Sequence, residues 1–359
     1  MVSGKKVFRL LDRVWPSVCL AVVLLLTAPG CGGDEEQVIT IDIQPSSLSF
    51  DSEDNMYFVD QYFYASVLKW TPSGKTYDLA GILQPPGIGG FLPWGLEVGT
   101  GATALDDVLF VTDRSTANPS NRLLAVNPDL EGDPGLDNVL LGQTSGPSGT
   151  PFRELRAVAA LYRDDPVKSY RVFVADHDPE GVEVEKIQVA DYDLAGKTFT
   201  FSDPITLEAG TADCPDAFVD TIGLAVDPDH NALFAVDQGN NALYRFSGIH
   251  EGGTVNCDQE REYWKTTEDL LYEPRGVAYL PGTVTPPQKN YIALADSKDL
   301  RVTAFTWNGT DFLAENLPDN FEPFPGGMPA DVAFSQEGDL WATYPLSSAI
   351  AGPEMSGTP

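Results

Sequence analysis

Basic residues are few in this 359-residue chain: 22 Lys and Arg stand against 53 Asp and Glu, for a formal net charge of −31. A surface of that sign repels phosphate backbones and anionic headgroups, which excludes nucleic acid as a partner and a membrane held by surface charge. Histidine is scarcer still, with three copies, His177, His230 and His250, spread over three predicted turns. Such scatter does not make a metal cluster and leaves them as solvated loop residues. Catalytic signatures are missing too. The chain has no His-Glu-x-x-His pair, no Gly-x-Ser-x-Gly turn and no Gly-Lys phosphate loop, so no catalytic residue is assigned. Long apolar runs and long helical periodicity are also absent, while 33 Gly and 28 Pro punctuate the chain into short segments. With 42% hydrophobic and 10% aromatic residues to fill a core, that composition calls for a fold of short strands and many turns.

The first 30 residues differ from the rest. Lys5, Lys6, Arg9 and Arg13 make a basic start, and Val18 to Leu26 is an apolar stretch too short to remain as a spanning helix. Small residues follow in TAPGC, and Cys31 stands where the apolar stretch gives way to GGDEEQ. This arrangement resembles the lipobox of bacterial lipoproteins, with Gly30 in the favoured place and Ala28 where Leu is usual. The resemblance implies a signal peptide over 1–30, a lipidated Cys31 as the new N-terminus, and a tether over 31–35. Gly32, in place of the Asp that retains lipoproteins at the inner membrane, implies export to the outer membrane of a bacterial cell envelope. Ordinary signal cleavage near Ala28 is the other reading. Of the remaining cysteines, Cys19 leaves with the signal, and Cys214 and Cys257 are then a pair in an oxidising compartment, where a disulfide is expected.

Beyond the tether one pattern recurs: an apolar run, a turn, a second apolar run ending in Asp, another turn and a third run. It begins at SSLSF (Ser46), WGLEV (Trp94), RAVAAL (Arg156), IGLAV (Ile222), RGVAYL (Arg275) and ADVAF (Ala330). The second runs close with Asp60, Asp113, Asp176, Asp237 and Asp296, and the sixth has Tyr344 there. Runs such as LFAVD and YIALAD suit strands covered on both faces, which units of three or four strands achieve only by stacking radially. The expected fold class is all-β, a six-bladed β-propeller over residues 36–350 with a flexible tail at 351–359. QVITIDI (37–43) is expected to add the missing outer strand of blade six, so that an N-terminal strand closes the ring. The copies PRGVAYL, IGLAVDPDHNALFAVDQGNNALYRF and LFVTDRSTANPSNRLLAV resemble the NHL-repeat family and its gluconolactonase-like relatives. The resemblance implies that the strand-end Asp fixes the following turn, and it implies a fold more than an activity.

Two functional expectations follow. The first is a non-catalytic binding or scaffold module, with no cofactor, for an envelope protein, a glycan or a small anion, touching the membrane through its lipid alone. Its binding face is the axial mouth, where Trp94, Arg156 and Arg275 precede the first strands; two arginines can grip a carboxylate or phosphate and an indole can stack on a ring. The bland counterpart pairs Arg156 with Glu154 and Arg275 with Glu273 and plugs the channel. The second expectation is a divalent-metal hydrolase of lactones or phosphoesters. The gluconolactonase-like relatives hold an axial ion on Glu, Asn and Asp, but the matching positions here are Ser46, Trp94, Arg156, Ile222, Arg275 and Ala330. The nearest substitutes for a Ca2+ or other divalent ion are Glu154, Asp220 and Asp331. DHDPEG from Asp176 and DPDHN from Asp227 have calcium-loop spacing in part, but Ile187 stands where the first would need its bidentate Glu, and both read as turns.

Cys31→Ser is expected to move the protein from the membrane to the soluble fraction with its signal uncleaved or miscleaved. Fractionation followed by N-terminal mass analysis checks this, and unchanged membrane partitioning contradicts it.

Overall fold

Each apolar run is a strand, and each recurring unit is a sheet. A computed structural model of the chain describes residues 36–353 apart from 41–43, 61–64, 74–75, 84–90, 115–120, 131–138, 165, 182–184, 208–217, 248–252, 256–270, 272, 283–289, 308–311 and 315–326. The signal, Cys31, the tether, His250, Cys214 and Cys257 lie outside the described residues. Among those described, no helix is long and apolar enough to cross a membrane.

Six sheets follow in chain order, antiparallel except at the outer edge of blade three. Blade one is Pro45–Phe50, Met56–Asp60, Ser66–Ser73 and Thr76–Leu83. Blade two is Pro93–Gly99, Val108–Asp113, Arg122–Val126 and Val139–Gln143. Blade three opens with Glu154–Arg163, Ser169–His177 and Lys186–Asp193. Blade four has Thr221–Asp227, Ala232–Asp237 and Ala242–Ser247. Blade five is Pro274–Leu280, Asn290–Asp296, Arg301–Trp307 and Phe312–Ala314. Blade six is Asp331–Phe334, Leu340–Tyr344 and Ala349–Pro353.

The N-terminal strand Glu36–Thr40 pairs antiparallel with Ala349–Pro353, from Glu36 opposite Pro353 to Thr40 opposite Ala349, and completes blade six. The two ends of the propeller are thus joined by a strand ladder, and residues 351–353, expected in the tail, belong to it. Packing seals the same joint: Trp341 of blade six meets Tyr77 of blade one edge-on at 5.5 Å and lies 6.2 Å from Phe50. Between blades two and three, Phe110 meets Tyr170 and Tyr192 edge-on at 5.5 and 5.6 Å. These aromatic contacts fill the wedge between twisted sheets, which small side chains near the axis cannot reach.

One departure from simple repetition concerns blade three. Thr198–Phe201 and Ile205–Leu207 both pair with its third strand, and Gly253–Val255, which follows blade four's last strand, adds in parallel beside Ile205–Leu207. Blade four therefore keeps three described strands while its chain covers the edge of its neighbour.

The first strands of successive blades touch one another in a closed ring, blade one meeting blade six. The approach is close enough that side chains are excluded at key points. A Cβ on Gly95 would collide with the carbonyl of Arg156, and one on Gly223 with the carbonyl of Arg275.

The strand-end aspartates are all buried, and their partners extend the expectation. Asp113 accepts the Leu92 N–H at 2.8 Å and Asp176 accepts the Arg153 N–H at 2.9 Å, both from the segment that leads into the blade's own first strand. Asp237 does this for Val219 and Asp220, at 2.9 and 3.1 Å, and also holds the following turn through the Asn240 N–H and Nδ2, at 3.1 and 3.0 Å. A short carboxylate at the end of the second strand therefore staples the entry to the first.

Asp237→Ala strands several of these donors and is expected to lower stability by about 1–3 kcal/mol, the cost of an unsatisfied buried group. Denaturant unfolding measures it, and an unchanged midpoint contradicts the assignment.

Candidate functional site

The segments stapled by the aspartates converge at one end of the axis, where a cavity of about 830 Å³ runs between the first strands. Trp94, Arg156 and Arg275 all line it, as do Asp220, Glu97 and Asp331.

Arg156 is neutralised. Its Nη2 lies 3.0 Å from Glu154 Oε1, its Nε donates to the same oxygen at 3.2 Å, and its Nη1 donates to Asp220 Oδ1 of blade four. Glu154 takes a second cation, Arg114, whose Nη2 is 2.6 Å from Oε1. The Arg114 guanidinium also stacks over the Trp94 ring, 3.9 Å from its centroid, so one face of the indole is already covered. Two arginines and two acids thus alternate across blades two, three and four. Arg114 was not singled out in the sequence, although it directly follows strand-end Asp113, and the Arg114 N–H bonds to the Leu92 carbonyl at the mouth.

Arg275 is different. Among the described residues it makes no hydrogen bond or ion pair, and its Nε is buried without a partner. The pairing with Glu273 does not form. Glu273 sits in the left-handed region at φ 53°, its N–H is held by Asn241 Oδ1 at 2.7 Å, and the cation near its carboxylate is Lys298 at 4.0 Å.

Two further acids, Asp331 of blade six and Glu97 of blade two, flank the first strand of blade one on the cavity wall. Asp331 accepts Ser47 Oγ at 2.9 Å, the Leu48 N–H at 3.0 Å and the Val332 N–H at 2.9 Å. Glu97 accepts Ser49 Oγ at 3.3 Å. Desolvation deep in the ring pushes Asp331 up to about 7. Desolvation, reinforced by the charge of Asp331, pushes Glu97 up to about 8. At neutral pH Glu97 is therefore largely protonated, and this wall carries less negative charge than its composition suggests.

The metal set Glu154, Asp220 and Asp331 does not assemble. Arg156 lies between the first two, and Asp331 is engaged by blade one. Among the described residues the ligand-type atoms that converge are those of His177, Glu185 and Asp220, all within 4.8 Å of one another. His177 is accordingly no solvated loop residue: it ends a strand, its side chain is 14% exposed, and its Nδ1 lies 3.1 Å from Glu185 Oε2. His230 likewise leans on Asp227, at 2.7 Å. The calcium-like spacings are turns as expected: Asp178 accepts the Glu180 N–H at 3.1 Å, Gly181 adopts φ 64°, and Asp227 accepts the His230 N–H at 3.0 Å.

No family model matches the chain, and no curated protein matches it. Its shape is similar to solved propellers. A luciferin-regenerating enzyme aligns with a TM-score of 0.51 and 12% identity over 90% of this chain and 96% of the other. A structure of a nidogen/laminin complex aligns with a TM-score of 0.48 and 14% identity over 82% and 88%. At such identities the likeness to the first shows the fold alone.

Raised carboxyl pKa values give a testable pH dependence. Glu97 and Asp331 titrate near 8 and 7 when folded against 4.5 and 3.8 ordinarily, so the native state binds more protons than the unfolded chain between about pH 4 and 8. Stability is expected to fall as pH rises across that window, and the fall should shrink in a Glu97→Gln, Asp331→Asn variant. Denaturation midpoints taken at intervals of pH check the sign.

Proposed function

We propose that this chain is a lipid-anchored protein of the bacterial cell envelope whose propeller binds a small anionic ligand in its axial mouth without catalysing a reaction on it. The observation that carries the reading is Arg275. In a chain with 53 acidic residues, a cation that lines a cavity and takes no partner among the described ones is held in reserve for something else. A guanidinium with a buried, unsatisfied Nε is costly to maintain unless an acceptor completes it. Its planar fork suits a carboxylate or phosphate, and each charge-assisted bond to such a group contributes about 1.5–3 kcal/mol.

The neighbours support a small anion over a large partner. Glu97, largely protonated at neutral pH, can donate a hydrogen bond instead of repelling the ligand. Arg156, bound to Glu154 and Asp220, and Trp94, capped by Arg114, act as ordered walls. The signal-like N-terminus and Gly32 support the envelope address, and an oxidising compartment suits a Cys214–Cys257 disulfide. A divalent-metal hydrolase working through Glu154, Asp220 and Asp331 has less support, because Arg156 already neutralises two of these acids and the third stands in another blade.

Calorimetric titration with succinate, citrate and inorganic phosphate tests the reading. At least one should bind, and Arg275→Gln should weaken it by at least about tenfold, the loss of one charge-assisted bond, with an unchanged melting temperature. No binding to any of the three, or equal binding by the variant, overturns it.

A further inference from the structure

Beside the axial cavity three side chains from different parts of the chain meet at the border of blades three and four. His177 ends the second strand of blade three, Glu185 precedes its third strand, and Asp220 precedes the first strand of blade four. His177 Nδ1 is 3.1 Å from Glu185 Oε2 and 3.9 Å from Asp220 Oδ1. Ligands held about 2.0–2.2 Å from one first-row divalent ion lie at most about 4.4 Å apart, and both distances from His177 Nδ1 fall inside that limit.

The carboxylates are held as ligands are held. Glu185 is buried at 5%, and its other oxygen, Oε1, accepts the Thr221 N–H, which leaves Oε2 aimed at His177. The Asp220 main chain is fixed through its N–H, which donates to Asp237 at 3.1 Å. Outer partners of this kind set ligand orientation and are part of what makes a site. A cation already stands at the third ligand: the Arg156 guanidinium donates to Asp220 Oδ1 while also holding Glu154. A metal ion there would take over a charge-neutralising role that Arg156 now fills, and Arg156 would keep Glu154.

We infer that His177, Glu185 and Asp220 form a binding site for a first-row divalent metal ion such as Zn2+, separate from the anion site at Arg275. The imidazole nitrogen selects this class over Ca2+ and Mg2+, which take oxygen ligands. The ion ties blade three to blade four at the rim of the cavity. The inference does not depend on the anion reading, since none of the three ligands is Arg275.

The test uses the full chain, stripped with chelator and dialysed against Zn2+, with the bound metal measured by elemental analysis. One equivalent is expected, retained in a large excess of Ca2+. His177→Gln and Glu185→Gln should each weaken it by more than about a hundredfold, beyond what loss of an outer partner alone causes, whereas His230→Gln should bind as before. A Co2+-loaded wild-type chain should show a paramagnetically shifted imidazole resonance, a readout that needs no variant to fold. Absence of bound Zn2+, displacement by Ca2+, unchanged binding by His177→Gln, loss of binding in His230→Gln, or an unshifted imidazole overturns the assignment.

Discussion

The buried carboxylate that ends the second strand of blades one to five is the interaction on which the rest of this molecule depends. Asp113, Asp176 and Asp237 each reach back to the main chain that enters their own blade's first strand. That segment has no strand partner of its own there, so without the carboxylate its N–H groups lose the acceptor that fixes them. Because the first strands form the inner ring, fixing their entry points also fixes the mouth. Trp94 lies two residues beyond Leu92, Arg156 three beyond Arg153, and Asp220 is itself one of the anchored residues. Blade six, which has Tyr344 in place of the aspartate, meets the same need differently: Thr343 Oγ1 accepts the Asp331 N–H at 3.0 Å and its carbonyl accepts the Ala330 N–H at 2.9 Å.

Charge is distributed around that mouth in a way the net value of −31 conceals. Toward blades two, three and four, arginines and acids alternate in one neutralised chain. On either side of blade one, Asp331 of blade six and Glu97 of blade two are pushed toward their protonated forms by the low polarity around them. Arg275 belongs to neither arrangement. An acidic protein can therefore present a cavity with much less negative charge than its composition suggests, because burial and pairing reduce the charge of the acids that line it.

Much of the architecture was legible from local pattern. The six-fold repetition, the runs closing in Asp, the use of an N-terminal strand, Glu36–Thr40, to complete blade six and the convergence of Trp94, Arg156 and Arg275 on one cavity all follow from strand-length apolar runs and radial repetition. Three features were not. Gly253–Val255 joins blade three in parallel, although it follows blade four in the chain, and a three-residue strand carries no periodicity to announce its partner. Arg114 reaches Trp94 and Glu154 across a blade boundary, and nothing in the run VTDR distinguishes a mouth-facing arginine from a solvated one. His177, Glu185 and Asp220 meet although no two of them have metal-ligand spacing.

The amino-acid sequence by itself determined the class of fold, the number of blades and where the chain closes, because these depend on periodicity and on backbone groups that must be satisfied locally. Only the tertiary structure decided which charges cancel. Arg156 and Arg275 occupy the same place in two copies of one repeat, yet one is paired from two sides and the other has no partner among the described residues. That difference arises from what the next blade brings within about 3 Å, a distance set by the packing of sheets against one another and invisible to any one segment of the chain.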